Sequence, residues 1–409
     1  MQKVNKINFL NIIDLYKICF IISKKIFIMS VSIYIHYPFC RSKCPYCDFN
    51  SYCNINIDEE ELLQAYLNEI NYYHKFIDNN IIDTIYFGGG TPSLMSEKLL
   101  DKVINKIFSL YKINKNCEIS LESNPNSISY KKLKNFRTIG INRLSIGVQS
   151  LIDDELKFLG RIHNKKEAVE AINNAQKVFR DMYSIDLIYG RPNQSIKNWL
   201  NELEEAIKLS PFHISLYQLI IERGTPFYKN KIKVPNDDIS VELYEKTNEF
   251  LEKNNIFQYE ISNYAKKGYE CKHNMTYWTN GEWVGIGAGA HGRLNINQKR
   301  YSFQNIKNPT KWLEKCMKNQ NGISKKSILT QQEIIEEFLI MGLRINKGIN
   351  LENLQKNINC NSFYEILNVE NINVLSNFGL IEANNTNIKL TKKGFLLLNS
   401  VIEKLTPDF

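Results

Sequence analysis

Short strand-like runs alternate with helix-length amphipathic stretches from residue 31 onward, and this alternation constrains the fold more than any other feature of the sequence. Helix-length stretches between buried-looking strands imply right-handed crossovers and a parallel sheet. Six such β/α units predict an α/β fold built on a partial (β/α)6 barrel. The predicted strands are Ser32–His36, Thr84–Phe87, Glu118–Glu122, Arg143–Gly147, Ile185–Tyr189 and His213–Gln218. The predicted helices are Glu59–Phe76, Glu97–Tyr111, Lys165–Phe179 and Ile196–Leu209.

Chemistry-bearing residues follow several of these strands. In barrels of this kind the functional groups lie on the loops that leave the carboxyl ends of the strands. Here those positions carry a cysteine cluster, the run Gly88-Gly89-Gly90-Thr91-Pro92, Glu122, Gln149 and Asp186. We therefore expect these side chains to converge on one edge of the barrel.

The pattern changes after about residue 230. We predict a barrel over 30–235 and a smaller α+β region over 236–310 that begins with the helix Ser240–Asn254. A helical, winged-helix-like C-terminal domain is predicted over 311–409, with a helix start at 391–394. Residues 1–29 are basic and partly apolar. They fit a disordered lead or sequence upstream of a domain that starts at Met29, with a targeting segment as the alternative.

Composition excludes several classes. The chain has 409 residues, 43% of them apolar, and no run matches the roughly 20 apolar residues of a membrane-spanning helix. The net charge is +9, but the lysines and arginines are not clustered with aromatic residues on one element, so we expect no nucleic-acid partner. Peripheral membrane contact stays open. Nine cysteines, an odd number, without a secretory signal argue against a disulfide framework and favour a cytoplasmic protein.

Three of the cysteines, Cys40, Cys44 and Cys47, share one short loop with the spacing C-x3-C-x2-C. Soft thiolates select zinc, copper(I) or iron–sulfur centres. Three thiolates leave zinc one ligand short, with His36 a poorly placed fourth, whereas a four-iron cluster keeps one iron open for a small molecule. Lys43 and Arg41 are expected to help keep the thiolates ionised. Three buried structural thiols or a structural zinc site are the alternatives.

This loop, with Tyr46 before the last cysteine and a strand before the first, resembles the radical S-adenosylmethionine (SAM) superfamily. The resemblance implies that Cys40, Cys44 and Cys47 hold a [4Fe–4S] cluster whose fourth iron is chelated by SAM. It also implies carboxylates on the SAM ribose hydroxyls and amine, and Arg161 on the SAM carboxylate. A plain tight turn is the alternative for the glycine run. The implied SAM contacts are Tyr34, Tyr46, Gly89, Gly90, Thr91, Glu122, Gln149, Arg161 and Asp186.

Longer motifs, among them "GVQS", "HISLYQL" and "GIGAGAHG", resemble the oxygen-independent coproporphyrinogen III oxidase group and, within it, the HemW branch of haem chaperones. The true oxidases carry a fourth cysteine two residues after the third, where this chain has Phe49. The chaperone motif H-N-x-x-Y-W is present at 273–278. It implies haem at His273, Tyr277 and Trp278, with Cys271 a weaker alternative ligand and His291 not assigned to haem.

The resemblance implies a haem chaperone that passes haem to acceptor haemoproteins, expected to be respiratory. A radical enzyme acting on a porphyrinogen is the rival. Arg191 and Asn193 depart from the family, which usually has an apolar residue and a glycine there, so the conformation of that loop is left open.

Overall fold

The computed structural model describes residues 30–406 except 54, 56, 356 and 359, and the expectations for 1–29 lie outside the described residues. Six parallel strands follow one another in the order of the sequence, which confirms the predicted partial barrel. They are β1 Ser30–Tyr37, β2 Ile81–Gly89, β3 Lys112–Ser123, β4 Arg143–Gln149, β5 Tyr183–Tyr189 and β6 His213–Gln218.

Amphipathic helices connect these strands. The longer ones bury an apolar stripe, and Leu99, Val103 and Ile107 on the second helix are fully enclosed. Side-chain caps start most of them, as Asp58 and Ser96 do by accepting backbone N–H groups. The helices up to the end of this region are α1 Glu59–Ile77, α2 Glu97–Leu110, α3 Tyr130–Ile139, α4 Asp153–Phe158, α5 Lys165–Phe179, α6 Ile196–Lys208, α7 Pro226–Lys229 and α8 Asp237–Lys253.

The sequence did not predict α3 and α4. The first buries only Leu133 and Phe136, and the second is six residues long. Neither carries enough apolar residues to show a helical period.

Six further strands extend the sheet at both ends, giving twelve strands among the described residues in the order β12-β11-β10-β9-β1-β2-β3-β4-β5-β6-β8-β7. Strand β9 runs parallel to β1, and the other added pairings are antiparallel. The added strands are β7 Phe257–Glu260, β8 Asn263–Ala265, β9 Glu282–Ile286, β10 His291–Ile296, β11 Lys299–Asn305 and β12 Ile323–Ile328, with helices α9 Lys272–Trp278 and α10 Pro309–Asn319 between them.

The C-terminal unit has its own apolar core and a three-stranded sheet ordered β13-β15-β14. This core starts at Ile334, whereas Trp312 and Ile323 pack into the barrel core. Residues 311–328 therefore pack with the barrel core, although the sequence had grouped them with the C-terminal domain. The elements are α11 Gln331–Gly342, β13 Ile349–Asn350, α12 Leu351–Gln355, α13 Val369–Asn377, β14 Ile381–Ala383, β15 Asn387–Leu390, α14 Lys392–Leu396 and α15 Leu398–Leu405.

Thr391 caps α14 by accepting the Gly394 N–H, which confirms the predicted helix start at 391–394. Across the described part of the chain, no helix is both long enough and apolar enough to cross a bilayer.

Candidate functional site: a thiol loop at the carboxyl edge of the barrel

The cysteine loop leaves β1 and is held in shape by its own backbone and by one lysine. The Cys40 N–H donates to the Tyr52 carbonyl at 3.0 Å, and the Cys47 N–H donates to the Cys44 carbonyl at 3.1 Å. Lys43 Nζ crosses the loop to the carbonyl oxygens of Phe49 and Ser51, at 3.0 and 3.1 Å. All three thiols are half-buried and free of disulfides, as ligands of a bound group must be.

No three His, Cys, Asp or Glu side chains within the described residues are close enough to bind one metal ion. In a four-iron cluster each cysteine binds a different iron, so the three thiolates do not have to converge on one metal ion. The donor set of the loop, three thiols of one short segment, fits an iron–sulfur cluster.

Arg161 contacts one of the three thiols. Its Nη1 lies 3.3 Å from Cys44 Sγ, and its Nη2 donates to the Gly147 carbonyl at 2.9 Å and to Asn124 Oδ1. The sequence instead assigned the ionising role to Arg41 and Lys43. Arg41 is occupied by the Asn126 carbonyl at 3.2 Å, and Lys43 acts mainly as the brace of the loop.

Burial raises the pKa of the Cys40 and Cys47 thiols. Hydrogen bonding from Thr91, whose Oγ1 lies 3.5 Å from Cys40 Sγ, offsets part of the rise for Cys40. For Cys47 the backbone of Phe49 offsets part of it by hydrogen bonding, and the charge of Lys43 contributes less. These two thiols are therefore mostly protonated near pH 7 when nothing is bound, so metal binding has to release their protons.

The glycine run is required by the packing of the protein itself. Gly89 has φ +113°, and a Cβ there would come within 2.5 Å of the His36 ring, while a Cβ on Gly90 would lie 2.5 Å from the Phe39 carbonyl oxygen. The Gly89 N–H donates to Glu122 Oε2 at 2.9 Å. These close contacts explain the glycine run as a structural turn. Its contact with the SAM amine stays a prediction.

Glu122 is the penultimate residue of β3 and faces a cavity at the carboxyl edge. Its carboxylate accepts from Tyr86 Oη at 2.9 Å as well as from Gly89, and burial raises its pKa to about 7. The cavity has a volume of about 390 Å³ and is here called the upper cavity. The residues that line it are Tyr34, His36, Phe49, Asn50, Gly89, Glu122, Tyr277, Trp283, Gly289, Ala290 and His291.

Asp186 and Gln149 lie on neighbouring strands at the same edge, since Gly147 pairs with Asp186 and Gln149 with Leu187. Asp186 accepts from the hydroxyls of Ser145 and Ser184, and burial raises its pKa. Gln149 has φ +69°, a left-handed conformation that turns the chain out of β4.

The two tyrosines implied in SAM binding have different surroundings. Tyr34 lines the upper cavity and its hydroxyl lies 2.9 Å from His36 Nδ1, while His36 Nε2 lies 2.9 Å from the Asn50 carbonyl. Both ring nitrogens of His36 are thus occupied, so the ring offers nothing to a zinc ion. Tyr46 packs against Phe227, with ring centroids 6.2 Å apart.

The loop with Arg191 is tied to the end of β4. The Arg191 side chain is 1% exposed, and it pairs with Glu202 and donates to Ser150 Oγ at 2.6 Å. Glu202 also accepts the Leu151 N–H at 2.8 Å. Asn193 takes φ +58°, which asparagine tolerates. This departure thus fixes the loop beside Gln149 and does not distort the strand that carries Asp186.

The α9 helix buries the histidine of its motif. His273 is 1% exposed, with Nδ1 2.6 Å from Thr84 Oγ1 and Nε2 2.7 Å from Tyr277 Oη, and its ring stacks on Tyr86 at 4.9 Å. Burial lowers the pKa of His273 to about 3. Trp278 instead lies against the Arg344 guanidinium, 4.9 Å from its ring centroid.

The structure thus does not bring His273, Tyr277 and Trp278 onto one open surface, and His273 presents no free nitrogen. Cys271 is buried and donates to Glu118 Oε1 at 3.4 Å. His291 starts β10 directly after the turn in which the Ala290 N–H donates to the Gly287 carbonyl, and it lines the upper cavity.

Sequence reasoning missed two residues of the carboxyl edge, Asn124 and Tyr86. Asn124 joins Arg161 to Thr91, because its Nδ2 donates to Thr91 Oγ1 at 3.0 Å. It directly follows β3, two residues after Glu122, so its place at a strand end was a usable signal. Tyr86 lies within β2, and its contact with Glu122 could not be read from the sequence.

Comparisons with known proteins agree with this geometry. The radical SAM superfamily pattern matches residues 34–206, and the HemN C-terminal domain matches residues 329–397. Coproporphyrinogen III oxidase (HemN) from Escherichia coli superposes with a TM-score of 0.78 at 21% identity, covering 92% of this chain and 90% of that one, which shows a shared fold.

Two relatives span nearly the whole chain. The "Heme chaperone HemW" of Buchnera aphidicola subsp. Schizaphis graminum is 36% identical over 91% of this chain and 97% of its own length. The mitochondrial "Radical S-adenosyl methionine domain-containing protein 1" of Bos taurus is 32% identical over 91% and 87%. The barrel and its thiol loop define a radical SAM superfamily protein. Within that superfamily, this chain belongs to the HemW family.

Proposed function

We propose that this protein is a haem chaperone that binds a [4Fe–4S] cluster, SAM and haem, and transfers haem to acceptor haemoproteins. The observation that carries the proposal is the thiol loop at the carboxyl edge, in a chain that matches 97% of the length of a relative named as a heme chaperone. Respiratory haemoproteins are the expected acceptors, and the cytoplasm is the expected compartment.

Cys40, Cys44 and Cys47 would hold the cluster, with Arg161 placed between Cys44 and the strand ends. When bound, such a cluster supplies an open iron that a small chelating ligand can occupy. Asn124 and the Gly147 carbonyl fix the guanidinium of Arg161, so that it can also bind a carboxylate of that ligand. Glu122 and Asp186 would then accept from the hydroxyls and amine of the same ligand.

Phe49 supports the chaperone over the oxidase. It occupies the position two residues after Cys47, where the oxidases have a further cysteine, and its side chain is 59% exposed at the upper cavity. An apolar, exposed side chain there supplies neither a ligand nor a proton donor. We therefore expect no decarboxylation of coproporphyrinogen III.

Haem transfer tests the proposal directly. Anaerobically reconstituted protein is loaded with haem and mixed with an apo-haemoprotein, and the absorbance of the acceptor reports the transfer. We expect the acceptor to gain haem from this protein, and the same preparation to form no product from coproporphyrinogen III under reducing conditions with SAM. Absence of haem binding, or turnover of coproporphyrinogen III, would contradict the chaperone function.

A further inference from the structure

The interior of the barrel beneath the carboxyl edge is polar on two neighbouring strands. β5 and β6 pair so that Ser184 lies opposite His213 and Asp186 lies opposite Ser215. Ser184, His213 and Ser215 are each no more than 4% exposed. Branched apolar side chains usually fill the inside of such barrels, and polar groups that are buried there have to be hydrogen-bonded. Their hydrogen-bond partners therefore determine what these side chains can do.

His213 lies in the middle of a chain of hydrogen bonds that ends on Asp186. Ser184 Oγ lies 2.9 Å from Asp186 Oδ1 and 2.8 Å from His213 Nδ1. On the other side of the ring, His213 Nε2 lies 2.8 Å from Tyr259 Oη, and this oxygen accepts the Cys271 N–H at 3.3 Å. The chain thus runs from a backbone amide to a carboxylate through three side chains that can each donate and accept.

The two ends of this chain of hydrogen bonds fix its direction. A backbone N–H can only donate, and an ionised carboxylate can only accept. The Ser184 hydroxyl therefore donates to Asp186 and accepts from the Nδ1–H of His213. Nε2 of the same ring is then unprotonated and accepts from the Tyr259 hydroxyl. Every donor points toward Asp186, and this selects the tautomer of His213 that has its proton on Nδ1.

Burial keeps both aromatic members of the chain neutral. It lowers the pKa of His213 well below its ordinary value, and the charge of Arg143 acts in the same direction. Burial likewise raises the pKa of Tyr259 well above its ordinary value. A neutral imidazole has one donor nitrogen and one acceptor nitrogen, as the chain requires. His213 is therefore suited to orient a proton and not to supply a charge.

The Asp186 carboxylate depends on the hydroxyls that donate to it. Burial raises the pKa of Asp186, and hydrogen bonds from Ser145, Ser215 and Ser184 oppose that rise. Ser184 Oγ also lies 3.2 Å from Ser215 Oγ, so its proton has more than one acceptor within reach. If His213 carried its proton on Nε2, the Ser184 hydroxyl would donate to the ring and the carboxylate would lose a donor.

We propose that His213 is a positioning residue for the SAM site. By donating from Nδ1 it keeps the Ser184 hydroxyl directed at Asp186, and this fixes the carboxylate with its remaining lone pairs available to the hydroxyls or the amine of SAM. The proposal rests on the proposed function, because SAM as the ligand of Asp186 is taken from there. It extends the SAM site from the strand ends into the buried interior of the barrel.

The tautomer is measured by nitrogen-15 NMR of the full-length chain labelled at histidine. One ring is assigned to His213 because its signals are lost in His213→Asn. We expect that ring to carry its proton on Nδ1 and to stay neutral between about pH 6 and 8. A proton on Nε2, or a ring that titrates in this interval, would contradict the proposal.

The SAM affinity of the anaerobically reconstituted protein tests the positioning role. His213→Leu removes both ring nitrogens and should weaken SAM binding at least about fivefold, with the iron content unchanged. His213→Asn keeps an amide N–H near the place of Nδ1 and should recover most of the loss. Leucine fills the space of the ring better than asparagine, so a role in packing alone predicts the opposite order. The control His74→Leu changes a half-buried histidine near the end of α1 that packs against Tyr111, and it should bind SAM as the unmodified chain does.

Folding of each variant is checked by circular dichroism. If His213→Leu does not fold, Tyr259→Phe takes its place, since it removes only the hydroxyl that donates to Nε2, and it should weaken SAM binding about two- to fivefold. If the unmodified chain loads its cluster and binds no SAM, the proposed function fails. If it binds SAM and these variants bind equally well, or if His213→Asn binds more weakly than His213→Leu, the proposed function stands and His213 does not position Asp186.

Discussion

The two ends of the barrel are built differently. At the carboxyl edge Arg161, Asn124 and Cys44 are already in contact around a pocket of about 20 Å³, and the upper cavity of about 390 Å³ opens beside Glu122. At the amino-terminal end lies a cavity of about 810 Å³ lined by Lys267, Lys272 and Lys347, and none of these lysines forms an ion pair with a carboxylate within the described residues. The carboxyl edge is thus a preformed polar network, whereas the amino-terminal end is a wider cavity with lysines in its lining.

The strongest test of this contrast removes a thiol. Cys44→Ser should reduce iron in the anaerobically reconstituted protein from about four atoms per chain to near zero, because a hydroxyl does not replace the thiolate as a ligand of this soft centre. Iron and sulfide analysis measures the result. Cys53→Ser, a change to another half-buried cysteine just after the loop, is the control and should keep its iron. Equal iron in both variants would contradict the cluster assignment.

Arg161→Lys tests the carboxyl edge at finer scale. Lysine keeps the charge but cannot hold Asn124, the Gly147 carbonyl and Cys44 at once, so SAM affinity should fall about tenfold or more while the cluster is retained. The SAM-dependent change in the spectrum of the reduced cluster gives the affinity. Arg137→Lys, on the outer surface of α3, should leave it unchanged. If the two variants have the same SAM affinity, Arg161 has no role in the site.

The buried carboxylates predict how stability depends on pH. Glu122 shares this burial with Glu69 of α1, whose carboxylate accepts the Gly287 and Gly322 N–H groups. Burial raises the pKa of both carboxyls to about 7, so the folded protein binds protons more tightly than the unfolded chain does. The stability that these two carboxyls contribute is complete below pH 4.5, the pKa of glutamate in the unfolded chain. It is lost as the pH rises through about 7, the pKa in the folded protein. The free energy of unfolding of the ligand-free protein should therefore fall between pH 5 and 8, by roughly 1–3 kcal/mol per carboxylate.

Urea unfolding at several pH values measures this dependence, and Glu122→Gln should flatten it whatever its effect on absolute stability. Glu61→Gln, an exposed change on α1, should keep the slope of the unmodified chain. Stability that rises across this interval would show that the carboxyl edge holds Glu122 ionised.

The smallest expected effect concerns the contact between the barrel and the C-terminal unit. Arg293 on β10 donates to both oxygens of Glu337 on α11, and both side chains are largely buried. Glu337→Gln should lower the free energy of unfolding by about 1 kcal/mol. The control is Asp154→Asn, which removes an exposed pair with Lys157 and should change the free energy of unfolding by no more than about 0.5 kcal/mol. If the two variants lose the same free energy of unfolding, the Arg293 pair adds nothing to this contact.

The sequence was informative where local pattern determines structure. Strands such as Ile185–Tyr189, observed as Tyr183–Tyr189, were visible because buried parallel strands are short apolar runs. The gathering of Glu122, Asp186 and the thiol loop at one edge followed from the shared direction of these strands.

Long-range contacts could not be predicted in this way. Arg161 reaches Cys44 across 117 positions, and Thr84 reaches His273 across 189. Nothing in the local sequence indicates which side of α9 turns inward, so an exposed haem ligand and a buried structural histidine look alike. The insertion of β9 beside β1, which places α9 against the barrel, is likewise set by tertiary pairing.

The central claim is that three thiols at the carboxyl edge hold a four-iron cluster with one iron left for SAM. Anaerobic reconstitution with iron and sulfide, followed by metal analysis and electron paramagnetic resonance of the reduced protein with and without SAM, tests it most directly. The account predicts about four irons and four sulfides per chain and a resonance that changes when SAM is added. Fewer than four irons, or a resonance that SAM leaves unchanged, would contradict it.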